Sequence, residues 1–336
     1  MKAVVLVGGE GTRLRPLTET VPKPLVPFMN RAFLHHALDL LAAHGVHEVI
    51  LSSPYLETQF RSFLRERRGD PAVAWITEET PLGTCGAIAG AAELLDDTFL
   101  VCNGDILTDL DLSALVAFHR ERAAVATIAL TRVEDARPFG LVETGDDGRV
   151  LAFREKPAEP VPGTVNAGTY VLEPRALERV PRGAAVSIER ETFPDLIERG
   201  EPVYAFVGDA YWRDLGTPES YVAAHEDALA GRIRGIEAAS PMVAADAEIH
   251  SGASVGEGVV LGSGASVAAG ATVERAILHA GARIGRDAKV EGVVLGPASE
   301  IGDGALVRDS VLGDGARVAP GARVEGERIR PGETAP

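Results

Sequence analysis

The chain has 336 residues, 46% of them apolar, enough to build the cores of two ordinary domains. Its 49 acidic against 33 basic residues give a formal charge of -16, which excludes a general nucleic-acid or anionic-membrane surface, because phosphate backbones are held by basic stripes. Any phosphorylated partner must therefore meet a local positive site. No apolar run approaches the roughly 20 residues of a membrane helix, and the run Met1 to Val7 is broken by Gly8-Gly9 too early for a secretory segment. Two cysteines, Cys85 and Cys102, suit a reducing compartment, so a cytoplasmic protein is expected.

In chain order, "KAVVLV" reads as a strand, "AFLHHALDLLAAHGV" as a helix, "HEVILSS" as a strand and "LETQFRSFLRERR" as a helix. "AVAWIT", "CGAIAGAAELL" and "TFLVCN" continue the alternation. Near-continuous apolar strands between amphipathic helices predict a doubly wound, Rossmann-like α/β domain. Ligands of such sheets bind beyond the carboxyl ends of the strands, where Gly8-Gly9, Ser52-Ser53 and Asn103-Gly104-Asp105 fall. Residues 124–172 are richer in β patterns, which makes the sheet a mixed one, and "FGLVETGDDGRVLAF" predicts a hairpin around Gly-Asp-Asp-Gly. Helical patterns follow at about 174–180 and 187–199.

After a polar stretch near 231–241, aliphatic residues recur every six positions: Ile249, Val255, Leu261, Val267, Val273, then Ile284, Val290, Ile301, Val307, Val318 and Val324. Leu278, Leu295 and Leu312 each arrive one residue early and lie 17 residues apart. Gly and Ala fill the intervening corners. This predicts a C-terminal left-handed parallel β-helix of hexapeptide repeats, about four to five coils long, with each aliphatic pointing inward. The expected domains are 1–232 and 241–328, and the β-helix is expected to mediate homo-oligomerisation or regulation.

The chemistry concentrates near the N-terminus, in "GGEGTRLRPLTETVPKPL" from Gly8 to Leu25. A Walker loop needs a lysine directly after the glycines, and a dinucleotide fingerprint must enter a helix; neither condition holds here. What remains is a glycine-rich turn with free N–H groups, then Arg13, Arg15 and Lys23 on a proline-stiffened segment. Such a patch can neutralise a triphosphate. Only four of the basic residues are lysines, and two sit in similar settings, Pro22-Lys23-Pro24 and Glu155-Lys156-Pro157. A compact ammonium suits a crowded phosphate where a planar guanidinium does not.

The motif G-G-x-G-T-R-L-x-P-L-T followed by P-K-P resembles the sugar-1-phosphate nucleotidyltransferases. The similarity continues through "TPLGTCGAI" (80–88), "NGD" (103–105), "REKP" (154–157), "NAG" (166–168) and "YWRDLGTPESY" (211–221) to the β-helix. Within the family, the PLGT-x-G segment and the P-K-P-L loop are most similar to the guanylyltransferases that make GDP-mannose from GTP and mannose 1-phosphate. Cys85 departs from the alanine usual there.

The resemblance implies Mg²⁺ held by Asp105 and Asp214, with Arg13 and Lys23 at the α-phosphate and the departing pyrophosphate. It places Leu6, Gly8, Gly9, Gly11, Thr12, Pro81, Gly83, Thr84, Asn103 and Gly104 around the nucleotide. Lys156 would grip the sugar phosphate, and Gly140, Glu155 and Asn166 the sugar; for Glu155 an ion pair is the alternative, and Arg15 can be structural. The implied reaction is in-line attack of the sugar phosphate on the α-phosphorus, needing neither a covalent intermediate nor a general base. Other sugar and nucleotide pairs, such as a manno-heptose with GTP or glucose with dTTP, ATP or UTP, fit a similar pocket. Two further alternatives are a non-catalytic regulatory subunit and an added acyltransferase activity using His250 or His279 of the repeat.

Overall fold

Lys2–Leu6 forms β1, and its inner residues Ala3, Val4 and Val5 are fully buried. The computed structural model describes residues 1–53, 57–67, 69–155 and 159–336, with backbone alone for Glu57, Arg154 and Glu155. Lys156 and the side chain of Glu155, both expected at the sugar phosphate, lie outside the described residues. By compactness the chain divides into two units that are discontinuous in sequence: Met1–Gly9 with Leu34–Trp212, and Glu10–Phe33 with Arg213–Pro336.

In the first unit the predicted alternation is present as α1 (Phe33–Ala43), β2 (Glu48–Ser53), α2 (Glu57–Glu66), β3 (Ala72–Thr77), α3 (Gly83–Gly90) and β4 (Phe99–Asn103). There follow α4 (Leu112–Glu121), β5 (Ala126–Val133), β6 (Gly140–Thr144), β7 (Val150–Glu155), β8 (Gly163–Leu172), α5 (Phe193–Glu198) and β9 (Val203–Val207). The sheet runs β7-β6-β8-β4-β1-β2-β3, with β5 between β8 and β9. Its β4-β1-β2-β3 half is parallel, whereas β8 runs antiparallel to β4, β5 and β6. Phe99, Leu100 and Val101 of β4 are fully buried like the centre of β1, as strands covered on both faces must be.

The hairpin forms where expected, β6 pairing antiparallel with β7 and Gly148 N donating to Gly145 O at 3.0 Å. The helical pattern at 174–180 shortens to a 3₁₀ turn, Pro174–Leu177. That at 187–199 divides into a π turn, Ile188–Thr192, and α5, with Pro194 in the first helical turn, where its missing N–H costs nothing. α4 had no counterpart in the hydrophobic pattern; Asp111 starts it by accepting from Ala114 N at 2.9 Å.

The second unit holds the β-helix. Its strands pair in parallel and in register, stacking Val243, Leu261, Leu278, Leu295, Leu312 and Ile329 along one face. Ile249, Val267, Ile284, Ile301, Val318 and Ala335 form the second stack, and Val255, Val273, Val290, Val307 and Val324 the third. The three early leucines are thus in register. Two six-stranded sheets and one five-stranded sheet make between five and six coils, more than the expected four to five, because Val243 at one end and Ile329 and Ala335 at the other extend the stacks. From Leu261 to Leu312 the stacked side chains are at most a few per cent exposed, but Val243 and Ile249 of the first coil are 40% and 44% exposed. Also in this unit is α6 (Pro218–Leu229), opened by a reciprocal Thr217–Ser220 capping box. Among the described residues no helix is long and apolar enough to cross a membrane.

Candidate active site

In the first unit the parallel register sets Leu6 opposite both Ser52 and Asn103, so the ends of β1, β2 and β4 adjoin. Gly104 N donates to Leu6 O at 2.9 Å, and a Cβ at 104 would lie 2.8 Å from that oxygen, which explains the glycine of N-G-D. Asp105 follows directly. At Gly9 a Cβ would meet nothing within 4 Å, so this turn keeps its backbone open after β1.

The segment Pro81 to Thr84 is held from two sides. Buried Glu78 accepts from Ser52 Oγ at 2.9 Å and from Leu82 N at 3.0 Å. Val186 O accepts from Cys85 N and Gly86 N, occupying N–H groups at the start of α3, and Val186 N donates to Leu82 O. Gly83 has φ +67° with a virtual Cβ only 2.8 Å from Val186 O, so only glycine fits. Burial pushes the Cys85 thiol up to about 11 and that of Cys102 up to about 12, so neither is a thiolate nucleophile at neutral pH.

Gly140 on β6 and Asn166 on β8 line one pocket of about 270 Å³ with Phe139, Ser187, Glu189 and Arg190. Asn166 donates to Tyr170 OH at 2.7 Å and accepts from Gly168 N at 2.9 Å. Gly168, at φ +71°, passes the Asn103 side chain so closely that a Cβ would sit 2.7 Å from its amide nitrogen. The N-A-G motif is therefore a break in the β5-β8 register that packs on the N-G-D strand.

The second unit contains Gly11, Thr12, Arg13, Lys23 and Asp214. Gly11 adopts φ +63° before the 3₁₀ turn Thr12–Leu14, and Thr18 Oγ1 donates to its carbonyl at 2.7 Å. Lys23 begins a second turn behind Pro22 and is 7% exposed. Its Nζ lies 3.3 Å from Asp214 Oδ1, and Arg13 Nη2 lies 3.3 Å from Asp214 Oδ2. A Cβ at Gly216 would come within 2.7 Å of Arg13 Nη2 and 2.9 Å of both carboxylate oxygens, so glycine in D-L-G-T is what lets this cluster close.

The β-helix supports the same segment, which no local pattern announces because the partners are between 231 and 315 residues apart. Thr20 Oγ1 donates to Asp314 at 2.6 Å, and Arg328 reaches Arg13 O and Glu219, each at 3.3 Å. Asn30 Nδ2 donates to Leu261 O at 2.9 Å. Tyr221 OH donates to Pro27 O and so accepts from His279 Nε2 at 2.8 Å. Burial drives His279 down to about 4, keeping it neutral, with Nδ1 buried and unpartnered; it packs the unit. His250 is exposed, 3.8 Å from Glu248.

Among the described residues no group of three or more His, Cys, Asp or Glu could cage a metal ion. The donor chemistry nevertheless fits Mg²⁺. Asp214 is a hard oxygen donor, and its 3.3 Å contacts are longer than the roughly 2.8 Å of a tight charge-assisted bond, leaving lone pairs available. One or two carboxylates completed by phosphate oxygens is the usual manner of holding that ion.

Known proteins point the same way. The family model for "Nucleotidyl transferase" matches residues 2–231, and that for "GMPPB C-terminal domain" matches 238–334. The chain is 45% identical over 236 residues to mannose-1-phosphate guanylyltransferase of Mycobacterium tuberculosis, covering 68% of this chain and 65% of that protein. It is 40% identical over 228 residues to the catalytic subunit beta of the same activity from Danio rerio, covering 66% and 63% respectively. UTP--glucose-1-phosphate uridylyltransferase of Synechocystis is 34% identical over 254 residues, covering 70% of this chain and 66% of its own. The chain thus spans just under two thirds of the length of these relatives. The crystal structure of HddC from Yersinia pseudotuberculosis, also solved as a complex with GMP-PN, superposes with a TM-score of 0.60 at 31% identity, over 66% of this chain and 97% of that one. With a family model covering the sheet and every motif up to Asp214, this chain belongs to the nucleotidyl transferase family.

Proposed function

We propose that the chain joins GTP to mannose 1-phosphate, releasing pyrophosphate and forming GDP-mannose. The observation that carries this is the Asp214 carboxylate between Arg13 and Lys23, in a chain 45% identical to a mannose-1-phosphate guanylyltransferase. A carboxylate flanked by two cations suits a site that receives a polyanion, since the cations are already paid for by a group that a metal ion can engage instead. Asp105 and Asp214 would hold Mg²⁺, which when bound supplies positive charge to the phosphoryl oxygens.

The sugar phosphate is an anion at neutral pH and attacks without a base. Its oxygen forms a bond to the α-phosphorus as the bond to the β-phosphate oxygen breaks, and pyrophosphate departs with the electron pair. Arg13 and Lys23 would offset charge on the α-phosphate and the leaving group, and Lys156 charge on the attacking phosphate. Leu6, Gly8, Gly9, Gly11, Thr12, Pro81, Gly83, Thr84, Asn103 and Gly104 would frame the nucleotide, largely through backbone groups, while Gly140, Glu155 and Asn166 bind the sugar. Exclusion of the small-molecule competitors then rests on pocket shape, where a single hydrogen-bonded hydroxyl can discriminate strongly.

Pyrophosphate release measured for GTP, ATP, dTTP and UTP against mannose, glucose and manno-heptose 1-phosphates tests this reading. GTP with mannose 1-phosphate should give the highest kcat/KM. A preference for dTTP or ATP with glucose 1-phosphate would overturn the substrate assignment, and no release with any pair would overturn the reaction.

A further inference from the structure

The pocket that contains Gly140 and Asn166 also exposes a carboxylate to which the family motifs give no role. Glu189 lies on the π turn Ile188–Thr192, a geometry that re-aims side chains and recurs at functional sites. Its Oε2 accepts from Thr84 Oγ1 and Ser187 Oγ, both at 2.9 Å, and its Oε1 accepts from Tyr170 OH at 3.3 Å. The direction of every proton follows. Thr84 Oγ1 accepts from Ile188 N and Ser187 Oγ from Arg190 N, so each hydroxyl hydrogen is committed to the carboxylate. Tyr170 OH accepts from Asn166 Nδ2 and therefore donates to Glu189; burial and Glu189 push its phenol well above the usual range, so it stays protonated.

Two hydrogen-bonding capacities remain within this network. Among the described residues, Glu189 Oε2 has both acceptor positions filled, but Oε1 accepts only one, long bond. Asn166 Nδ2 has one hydrogen left after Tyr170, while its Oδ1 holds Gly168 N. An acceptor and a donor, both among the residues that line the pocket and bridged by one phenol, match the needs of a sugar hydroxyl, which gives one hydrogen bond and takes others.

We propose that Glu189 is the specificity residue of the sugar pocket, its Oε1 accepting from one ring hydroxyl of the sugar 1-phosphate beside Asn166. The inference rests on the reaction proposed above and adds to it a reading group.

The test uses the full chain, wild type and Glu189→Gln, with mannose 1-phosphate and its 2-, 3-, 4- and 6-deoxy analogues at saturating GTP. In the wild type one deoxy analogue should lose about 10- to 100-fold in kcat/KM, the loss expected for a hydrogen bond to a charged group. In Glu189→Gln the parent sugar should lose a similar factor, that analogue should become nearly equal to the parent, and KM for GTP should change less than about threefold. Glu189→Asp, which keeps the charge but withdraws it by one methylene, should show the same levelling and guards against misfolding of the glutamine variant. Unchanged analogue ratios in both variants, or losses that follow KM for GTP equally, would reduce Glu189 to a structural brace and overturn the inference. If wild type releases pyrophosphate with no sugar 1-phosphate, the proposed reaction itself fails and takes this inference with it.

Discussion

Replacing Asp214 by asparagine keeps its shape and removes one charge from a cluster in which Lys23 is 7% exposed. At the observed 3.3 Å, two unit charges attract by roughly 5 kcal/mol at an effective dielectric of about 20. Desolvation of the ammonium offsets much of that, and Arg13, whose side chain is 64% exposed, is relieved by water when its partner is lost. The penalty therefore falls on Lys23, and the single change should cost about 3 kcal/mol locally. Hydrogen exchange at Leu25 and Val26 reads this directly, because their amides close the turn carrying Lys23 by donating to Pro22 O and Lys23 O. Asp214→Asn should speed their exchange about 100-fold, Lys23→Met less, and the double variant should show a coupling energy of about 1–3 kcal/mol. Effects of the two single changes that simply add, within about 0.5 kcal/mol, would refute the view that this contact organises the loop.

Arg328→Ala removes the guanidinium that holds Arg13 O, a bond worth about 1 kcal/mol, so KM for the nucleoside triphosphate should rise about fivefold while kcat changes less than twofold; steady-state kinetics with unchanged KM would separate the β-helix from loop positioning. Gly216→Ala would push a methyl group to 2.7 Å from Arg13 Nη2 and should lower kcat at least about tenfold with little change in melting temperature, whereas full activity would show that the cluster can open freely. His279 is held near 4 against an ordinary 6.5, so the unfolded chain takes up a proton that the folded chain refuses. Its contribution is complete above pH 6.5, declines as pH falls toward 4 and is flat below; by pH 5 about 2 kcal/mol should be gone. Urea unfolding at pH 8 and pH 5 should show that loss in wild type in excess of His279→Gln, and equal pH dependence in the two would contradict the buried neutral imidazole.

Much of the architecture was legible because it rests on period. Hexad spacing sets each aliphatic of the β-helix inward whatever surrounds it, and the 17-residue interval of Leu278, Leu295 and Leu312 foretold their common stack. Apolar runs such as "KAVVLV" and "TFLVCN" declared central strands for the same local reason. The terminal strands at Val243, Ile329 and Ala335 lie beyond the ladder that runs from Ile249 to Val324; Ala335 is a weak step by hydrophobicity, and Val243 stands in the exposed first coil. α4 and α6 depend more on caps, Asp111 and the Thr217–Ser220 pair, than on a clear apolar stripe.

By itself the sequence determined which residue types were present in which local setting: glycines where φ must be positive at Gly11 and Gly83, a lysine behind Pro22, and aspartates after strand-like runs. Only the tertiary structure decided which side chains meet. Glu78, Glu189, Asp314 and Arg328 act on segments between 26 and 315 residues away. Hydrogen bonds and ion pairs act over a few ångströms of space and are indifferent to separation along the chain, so no local pattern can record them until the sheet and the coils have brought the partners together.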